Sequence, residues 1–504
     1  MRKKLTSLML CLAMLAGSAL MLASCAEENK KGPTTTAPSG PTEEMTVEKL
    51  PQVDMDGAVI NFAIAETDGD GFHLRSIKPD DEESEDNVDM AVINRNLKIQ
   101  QYFNCEIDVA HYENNSLNAA IGAQLTAGET GYDILAARQY DDVQLALRGV
   151  VYDLNMLEVD YPDAAGYLNM DADYWAKSYN DALQIGTGRY WITGDLCLRY
   201  SGGYYCYFVN HTLYNEKLSE KYGNVYDLVR EGKWSLDLLA EMAPALWEDL
   251  DGSEKTDTGD VLSIAQPVWD NANGLSISSG VVYSYRYEDG TIDLTFVHGN
   301  TAIEKFMKSF NNLLKCDGVH DFGGDYQGAM KKLVANEATF ASGRLNQAEL
   351  YLRDMDDNYG ILPNPKLTAD QPNYISSIHD GVQLYGINNS SEQIPYAVLL
   401  LEAMEIESRR TVRPAYFESA VKIKYSRGSD DAEMIDLMDA TIYSDFVYVW
   451  QFSAEMKGLG DWMRNNVKSP QGYNGVKRQQ EAWKKGLENI MEAIKTLEEN
   501  SAAS

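Results

Sequence analysis

The chain carries little positive charge for its length. Its 504 residues include 43 lysines and arginines against 77 aspartates and glutamates, and the formal net charge is −34. Proteins that bind nucleic acid need clustered basic side chains to contact phosphates. The composition therefore excludes nucleic acid as a partner and suits a body that does not adhere to an anionic cell surface.

Motifs of catalysis and metal binding are also missing from the sequence. The six histidines show no HExxH spacing, no GxSxG elbow occurs, and no Walker lysine follows Gly186-Thr187-Gly188. Acidic turns at 68–71 and 249–260 lack the glycine and terminal glutamate positions of an EF-hand loop. We therefore predict no catalytic residue, no metal and no cofactor, although 77 acidic residues leave a glycosidase-type carboxylate pair open.

Cysteines are few, and none has CxxC or metal-type spacing. Cys197 and Cys206 flank the stretch LRYSGGYY, which we interpret as a hairpin turning at Gly202-Gly203. Two interpretations stay open for this pair: a disulfide across the hairpin, or two isolated buried thiols.

Only one apolar run stands out, and it lies at the N-terminus. Arg2 to Lys4 are followed by an apolar stretch from Leu8 to Leu22, shorter than the ~20 residues that a spanning helix needs. The next residues, up to Cys25, resemble the lipobox of bacterial lipoproteins, in which the thiol is diacylated. We predict a signal peptide over 1–24, lipidation of Cys25 and a disordered tether over 25–54; an ordinary secretory signal is the alternative.

Strands and helices alternate after the tether. We predict strands at 56–66, 105–112 and 132–137 and helices at 87–103, 116–128 and 140–149. This alternation is typical of right-handed βαβ units in a parallel sheet, where ligands lie beyond the carboxyl ends of the strands. Aromatic residues become dense after residue 165, and further helical patterns occur at 232–247, 300–315 and in the C-terminal region.

Several stretches together resemble a known family. They are YDILAARQYDDVQLALRGVVYDLNML (132–157), YYCYFVNHTLYNE (204–216), GKWSLDLLAEMA (232–243), VANEATFASGR (334–344), YGILPNPK (359–366) and VRPAYFESAVKIKYSRGSDDAEMIDLMDATIYSD (412–445). The residue patterns of these stretches and their order along the chain are similar to those of the extracellular solute-binding proteins of ABC importers, family 1, in the maltose-binding carbohydrate branch. Two positions depart from the family pattern: Thr339-Phe340 and His211.

The resemblance implies an α/β fold of the periplasmic-binding-protein type II, with two discontinuous lobes joined by hinge crossings. Lobe one would comprise 55–193 and 376–425, and lobe two 196–373 and 430–504. The first crossing would lie near GDLCLRYSGG and the second near NYISSIHDG. Ligand would bind by hinge closure, and an ABC permease would recognise the closed form.

Candidate ligand contacts follow from the chemistry of sugars, whose C–H faces need flat rings and whose hydroxyl groups need planar polar partners. The residues that we select are Trp175, Tyr190, Trp191, Tyr204, Trp269, Asp195, Arg138, Arg344 and Asp380. The aromatic ones lie in turn-rich contexts, and the arginines and Asp195 end strand-like segments. Ordinary packing and salt bridges are the alternatives for each of them.

We therefore predict a monomeric, lipid-anchored protein at the extracytoplasmic face of the cell membrane. It would capture a small solute, most plausibly an oligosaccharide, and deliver it to ABC permease subunits. A surface glycoside hydrolase is the alternative function, and a surface adhesion or sensory lipoprotein is a third.

Overall fold

The computed structural model describes residues 45–503, except 67–70, 82, 114–115, 128–130, 288, 296–300, 354, 356, 419–428, 457–458 and 470–471. The predicted signal peptide, Cys25 and most of the predicted tether lie outside these residues. Among the helices that are described, none is both long and apolar enough to cross a membrane.

The strands form two main sheets and one hairpin. Their bounds are β1 Ala58–Glu66, β2 Cys105–Glu113, β3 Ile134–Arg138, β4 Tyr205–Asn210, β5 Leu262–Gln266, β6 Ser284–Arg286, β7 Ile292–Leu294, β8 Val319–Asp321, β9 Ala338–Arg344, β10 Tyr359–Pro363 and β11 Gln383–Ile387. Sheet one has the order β11-β3-β1-β2, sheet two has the order β10-β4-β9-β5-β8, and β6 pairs with β7.

Sheet one confirms the predicted βαβ opening. β1 pairs in parallel with both β2 and β3, and its last residues are buried, as expected of a strand covered on two faces. β11 closes the sheet by pairing antiparallel with β3, more than 200 residues away in sequence. The carboxyl ends of β1 and β3 consequently meet at one edge.

The helices around sheet one largely follow the predicted bounds. They are α1 Phe72–Ile77, α2 Asn87–Phe103, α3 Ser116–Ala127, α4 Gln139–Asp142, α5 Leu157–Asp160, α6 Lys177–Leu183 and α7 Leu198–Gly202. The helix predicted at 140–149 is wrong beyond its first turn, because the chain tightens into a 3-10 helix over Val143–Arg148 and ends at Gly149 with φ 71°.

Sheet two mixes strand directions. β5 is parallel to β8 and β9, whereas β4 is antiparallel to both β9 and β10. Its helices are α8 His211–Lys217, α9 Ser219–Tyr222, α10 Val225–Arg230, α11 Leu236–Leu246, α12 Val268–Ser278, α13 Thr301–Leu313, α14 Tyr326–Val334 and α15 Asn346–Tyr351. The patterns at 232–247 and 300–315 thus form α11 and α13, and α11 starts late because Ser235 caps it.

The two predicted crossings run side by side. Tyr204 and Ile378 form an antiparallel bridge, and the backbone N–H of His379 donates to the carbonyl of Gly203 at 2.9 Å. The predicted hairpin at Gly202-Gly203 is wrong, since α7 occupies that stretch. Cys197 and Cys206 are both free thiols and buried, so no disulfide joins them.

The remaining helices follow β11: α16 Ile394–Glu407, α17 Arg413–Ala415, α18 Ser429–Ala440, α19 Phe446–Trp450, α20 Leu459–Asn466 and α21 Gly472–Ala503. α18 packs on β10 of sheet two. The C-terminal module, which we define as residues 441–503, contacts α6 near sheet one and α12 near sheet two. The region that we assigned to lobe two therefore contacts the elements of both sheets.

The end of the predicted tether differs from the prediction. Val47 and Leu50 are buried, and the backbone N–H of Val47 donates to Oε1 of Glu407 at 3.4 Å. The backbone N–H of Met55 donates to the carbonyl of Phe103 at 2.8 Å. Three apolar side chains in an otherwise polar stretch are enough to attach this segment to the body.

Asp445, a buried residue of the C-terminal module, makes the stability of the protein depend on pH. It caps α19 by accepting from the N–H of Tyr448, and its Oδ2 accepts from the N–H of Tyr283 at 2.8 Å. Burial raises its pKa to about 6, despite these hydrogen bonds. Because the folded state then binds the proton more tightly than the unfolded chain, this carboxyl lowers the free energy of unfolding as pH rises from about 4 to 6.

Asp445→Asn should remove that dependence, since the amide keeps an acceptor oxygen and carries no charge. As pH rises from below 4 to above 6, we expect the stability of the variant relative to wild type to rise by up to about 3 kcal/mol. This rise comes on top of a pH-independent loss, because the amide nitrogen cannot accept from one of the two backbone N–H groups that the carboxylate binds. Urea unfolding at pH 4.5 and pH 7.5 measures this difference. A variant that is equally destabilised at both pH values would contradict the prediction.

Candidate functional site

The site lies where the carboxyl ends of strands from both sheets face each other. On the sheet-one side, β3 ends at Arg138, which pairs in register with Gln383 of β11. The guanidinium of Arg138 lies over the ring of Tyr140, 4.9 Å from its centroid. This edge is where a doubly covered sheet leaves room for a ligand.

On the sheet-two side, parallel strands β5 and β9 bring Asp270 and Arg344 together. Arg344 ends β9, and Asp270 lies in the first turn of α12, which follows β5. Nε of Arg344 is 3.7 Å from Oδ2 of Asp270, and Nη1 of Arg344 is 3.3 Å from Nε2 of His379. Both charged side chains are almost completely buried.

A second ion pair joins the two sides of the site. Asp380, at the second crossing, accepts from the guanidinium of Arg464 on α20, and the two residues are 2% and 3% exposed. Nε2 of His379 lies 3.5 Å from Oδ1 of the same aspartate. Burial alone would lower the pKa of Arg464, but the adjacent Asp380 raises it, so the guanidinium stays charged in this buried position.

Flat groups form a continuous row beside these ion pairs, which we call the stacked row: Arg138, Tyr140, Phe452, Arg464 and Trp269. The rings of Tyr140 and Phe452 have centroids 4.1 Å apart, and the guanidinium of Arg464 lies 5.0 Å from the centroid of Phe452. The same guanidinium is 4.6 Å from the centroid of Trp269. Trp269 ends the row and is 39% exposed, so one ring surface stays accessible.

The charges of the four buried groups Asp270, Asp380, Arg344 and Arg464 balance. Asp270 and Asp380 face Arg344 and Arg464, and although burial would raise the pKa of Asp270, the neighbouring Arg344, His379 and Arg464 lower it. Within the described residues, Oδ2 of Asp270 and Oδ1 of the adjacent Asn271 accept no hydrogen bond. Both oxygen atoms are buried, and Oδ2 of Asp270 already faces Nε of Arg344, so Trp269 supplies the accessible surface of this group.

Four of the nine predicted ligand contacts come together here: Arg138, Trp269, Arg344 and Asp380. Trp175 and Trp191 lie elsewhere and contact the chain itself, whereas the hydroxyl of Tyr205 donates to the carbonyl of Asp270 at 3.1 Å. Nε1 of Trp175 donates to Glu402 at 3.0 Å, and Nε1 of Trp191 donates to the carbonyl of Val143 at 2.9 Å. Their predicted contact with a ligand stays a prediction, although Trp191 exposes no surface.

The other three predicted contacts are also satisfied internally. Tyr204 is buried and its hydroxyl donates to Asp439 at 2.6 Å. Asp195 forms ion pairs with Arg409 and Arg413 at 3.2 and 3.1 Å. Tyr190 is 6% exposed and packs on Gly188, where a Cβ atom would lie 2.6 Å from its ring. Asp195 and Tyr204 thus lie in or beside the segment predicted as the first crossing, and their contact with ligand stays a prediction.

Sequence reasoning missed Asp270, His379, Arg464, Tyr140 and Phe452. Asp270 and His379 are direct neighbours of the selected Trp269 and Asp380, so those two positions already pointed at the correct segments. Arg464 and Phe452 carry no such signal, because they lie in a C-terminal helical region whose packing partner is set by the tertiary fold.

Three carboxylates cluster elsewhere, in the acidic turn at 249–260. Asp249, Asp251 and Asp260 place ligand atoms within 4.8 Å of one another. However, Asp260 accepts from Nε1 of Trp247 at 3.0 Å, and Asp249 accepts from the N–H of Gly252 at 2.7 Å. These hydrogen bonds organise the turn, and the absence of a metal there stays a prediction. The other acidic turn falls largely outside the described residues.

No family model matches the sequence, and no curated protein is similar to it. Solved structures are similar in fold. A cyclo/maltodextrin-binding protein complexed with maltotetraose is 12% identical, with a TM-score of 0.54 over 88% of this chain and 99% of that one. The sugar-binding protein MalE from Xanthomonas citri is 11% identical, with a TM-score of 0.54 over 88% and 99%.

A third similar structure is the galacto-N-biose/lacto-N-biose I-binding protein of the ABC transporter from Bifidobacterium longum, in complex with lacto-N-biose. It is 11% identical, with a TM-score of 0.53 over 88% of this chain and 98% of that one. These likenesses extend over almost the whole described chain, although identity is low. The chain therefore has the α/β, two-lobe fold of the sugar-binding proteins of ABC importers, as its sequence predicts.

Proposed function

We propose that the protein captures an oligosaccharide between its two lobes and delivers it to the permease of an ABC importer. One observation carries the proposal: the stacked row ends on an exposed Trp269 ring beside the charge-balanced group of Asp270, Arg344, Asp380 and Arg464. The fold supports it, since similar structures bind maltotetraose and lacto-N-biose.

The chemistry of this arrangement fits a sugar. The exposed part of Trp269 can pack against the C–H face of a pyranose ring, and the part-exposed guanidinium of Arg138 can donate to its hydroxyl groups. The guanidinium of Arg464 lies over the ring of Trp269 and helps to keep the indole in one orientation. Because the indole is already held in place, ligand binding costs less side-chain conformational entropy.

The lobe boundaries, the monomeric state and the lipid anchor belong to the same proposal. Lobe one would comprise 55–193 and 376–425, which contain the strands of sheet one, and lobe two 196–373 and 430–504, which contain those of sheet two. The monomeric protein would be anchored by lipid on Cys25 at the extracytoplasmic face of the membrane. A tether of about 20 residues before the packed segment at 45–55 would reach roughly 25 Å.

Titration calorimetry tests the ligand class. We expect maltotetraose, lacto-N-biose or a related oligosaccharide to bind, and Trp269→Ala to weaken that binding by about 10- to 100-fold because its stacking surface is lost. Trp247→Ala is the matched control, since Trp247 is part-buried and hydrogen-bonded in the remote acidic turn. Binding of amino acids or peptides alone would contradict the sugar assignment.

The paired state of both carboxylates argues against a glycoside hydrolase. A hydrolase of that class needs one protonated carboxylic acid beside one carboxylate. Here Asp380 is bound by Arg464, and the arginines and histidine around Asp270 lower its pKa. Turnover of an oligosaccharide, abolished by changing either aspartate, would contradict the proposal that the protein is not an enzyme.

A further inference from the structure

The C-terminal module contacts both sides of the cleft at once. We propose that it is a clamp, which keeps the two lobes together in the protein without ligand. This inference goes beyond the capture of a solute, because it concerns the resting state of the protein. It also differs from a free hinge, in which ligand alone would hold the lobes in contact.

The module is attached to the sheet-two side by polar contacts. Nδ2 of Asn311 on α13 donates to the carbonyl of Val467 at 2.5 Å, and Nζ of Lys468 is 2.5 Å from Asp321 at the end of β8. Asp445 accepts from the backbone N–H of Tyr283, as described above. These contacts, with α20 packed on α12, fix the module to the elements of sheet two.

The module is attached to the sheet-one side as well. Nε1 of Trp450 donates to the carbonyl of Leu183 at the end of α6, at 3.3 Å. Nε2 of Gln139, next to Arg138, donates to the carbonyl of Tyr448 at 3.1 Å. The Asp380–Arg464 ion pair adds a buried electrostatic contact at the second crossing.

Helix α21 extends this attachment along the molecule. Its 32 residues measure about 48 Å. Near its middle, Gly486 allows the carbonyl of Glu455 to approach so closely that a Cβ atom would lie 2.1 Å away. Towards its end, Leu497 packs on Gly149, where a Cβ atom would lie 3.0 Å from the leucine methyl. The helix therefore packs on α13 of the sheet-two side and ends on residues 143–149 of the sheet-one side.

Opening the cleft would require one of these attachments to break. If the module moved with lobe two, the contacts of Gln139, Leu183 and Gly149 would be lost; if it moved with lobe one, those of Asn311 and Asp321 would be lost. Each buried hydrogen bond without a replacement partner disfavours the open state. The clamp therefore makes the open form of the ligand-free protein a minor population.

Leu497→Asp tests the clamp, because it places a charge against residues 143–149. Lys495→Asp is the matched control, since Lys495 is 73% exposed on the same helix. Small-angle X-ray scattering of the ligand-free protein should give the compact dimensions of this structure for wild type and for the control. Leu497→Asp combined with Gln139→Ala and Trp450→Phe, which together remove three attachments to the sheet-one side, should give a larger radius of gyration.

Hydrogen exchange separates local detachment from misfolding. In Leu497→Asp we expect amide exchange to rise at least tenfold over 143–149, with the core strands β1 and β9 unchanged. An expanded wild-type protein without ligand, or variants with unchanged dimensions and exchange, would overturn the clamp. Neither measurement uses a ligand, so both test the clamp alone. The sugar assignment is tested independently by the calorimetry.

Discussion

Replacing Asp380 by alanine is expected to lower the free energy of unfolding by about 3–5 kcal/mol. The substitution leaves the guanidinium of Arg464, which is 3% exposed, without the carboxylate that it binds. A buried charge without its partner keeps its desolvation cost and loses the compensating attraction. Urea unfolding measures the loss, provided that the m-value is the same as for wild type.

A double variant provides the control for this prediction. Asp380→Leu combined with Arg464→Met removes both charges and fills a similar volume, and it should be more stable than Asp380→Ala alone. Loss of Arg464 would also remove the group that stacks on Trp269, so oligosaccharide affinity should fall in the double variant. A single variant that loses under about 1 kcal/mol would show that water reaches Arg464 and replaces the aspartate.

Much of sheet one can be predicted because its signals are local. The apolar stretch of β1 is long enough for a buried strand, and Asp86 caps α2 at the predicted start by accepting from the N–H groups of Val88 and Asp89. The pairing of β11 with β3 is different, since it depends on residues far apart in the chain. No local pattern specifies that partner or its antiparallel direction.

The candidate site could be predicted in part for the same reason. Arg138 and Arg344 end strands, and the carboxyl ends of parallel strands are where α/β sheets bind ligands. Arg464 could not be predicted, because a helical pattern indicates which face is apolar but not what that face packs against. The clamp was missed for this reason as well: the pattern of α21 predicts a helix, whereas its contact with Gly149 is a tertiary property.

The aromatic residues after position 165 show a further limit. Turn-rich sequence around them favoured accessible rings, but nearby carbonyl and carboxylate groups accept from their N–H and O–H groups. Trp175 donates to Glu402 and Tyr204 to Asp439, both over more than 200 residues of sequence. A tryptophan or tyrosine can be buried fully when its N–H or O–H group has an acceptor. The local sequence does not show which distant residue supplies that acceptor.

Trp191→Ala should distinguish packing from ligand contact at one of these positions. The indole is 0% exposed, and a Cβ atom on Gly386 of β11 would lie 2.7 Å from its ring. Removing it leaves a large cavity against β11 and an unpaired carbonyl on Val143, so we expect a loss of about 3–5 kcal/mol in the free energy of unfolding.

Trp269→Ala is the matched comparison, because the same side chain is removed at a site that is 39% exposed. It should cost far less stability than Trp191→Ala, whereas it should weaken oligosaccharide binding strongly. Trp191→Ala, studied by calorimetry at a temperature where it is folded, should keep its affinity within about threefold, or roughly 0.7 kcal/mol. Should it instead lose affinity while keeping its stability, the original prediction of Trp191 as a ligand contact would be correct, and the site would have to extend along β11 towards Gly386.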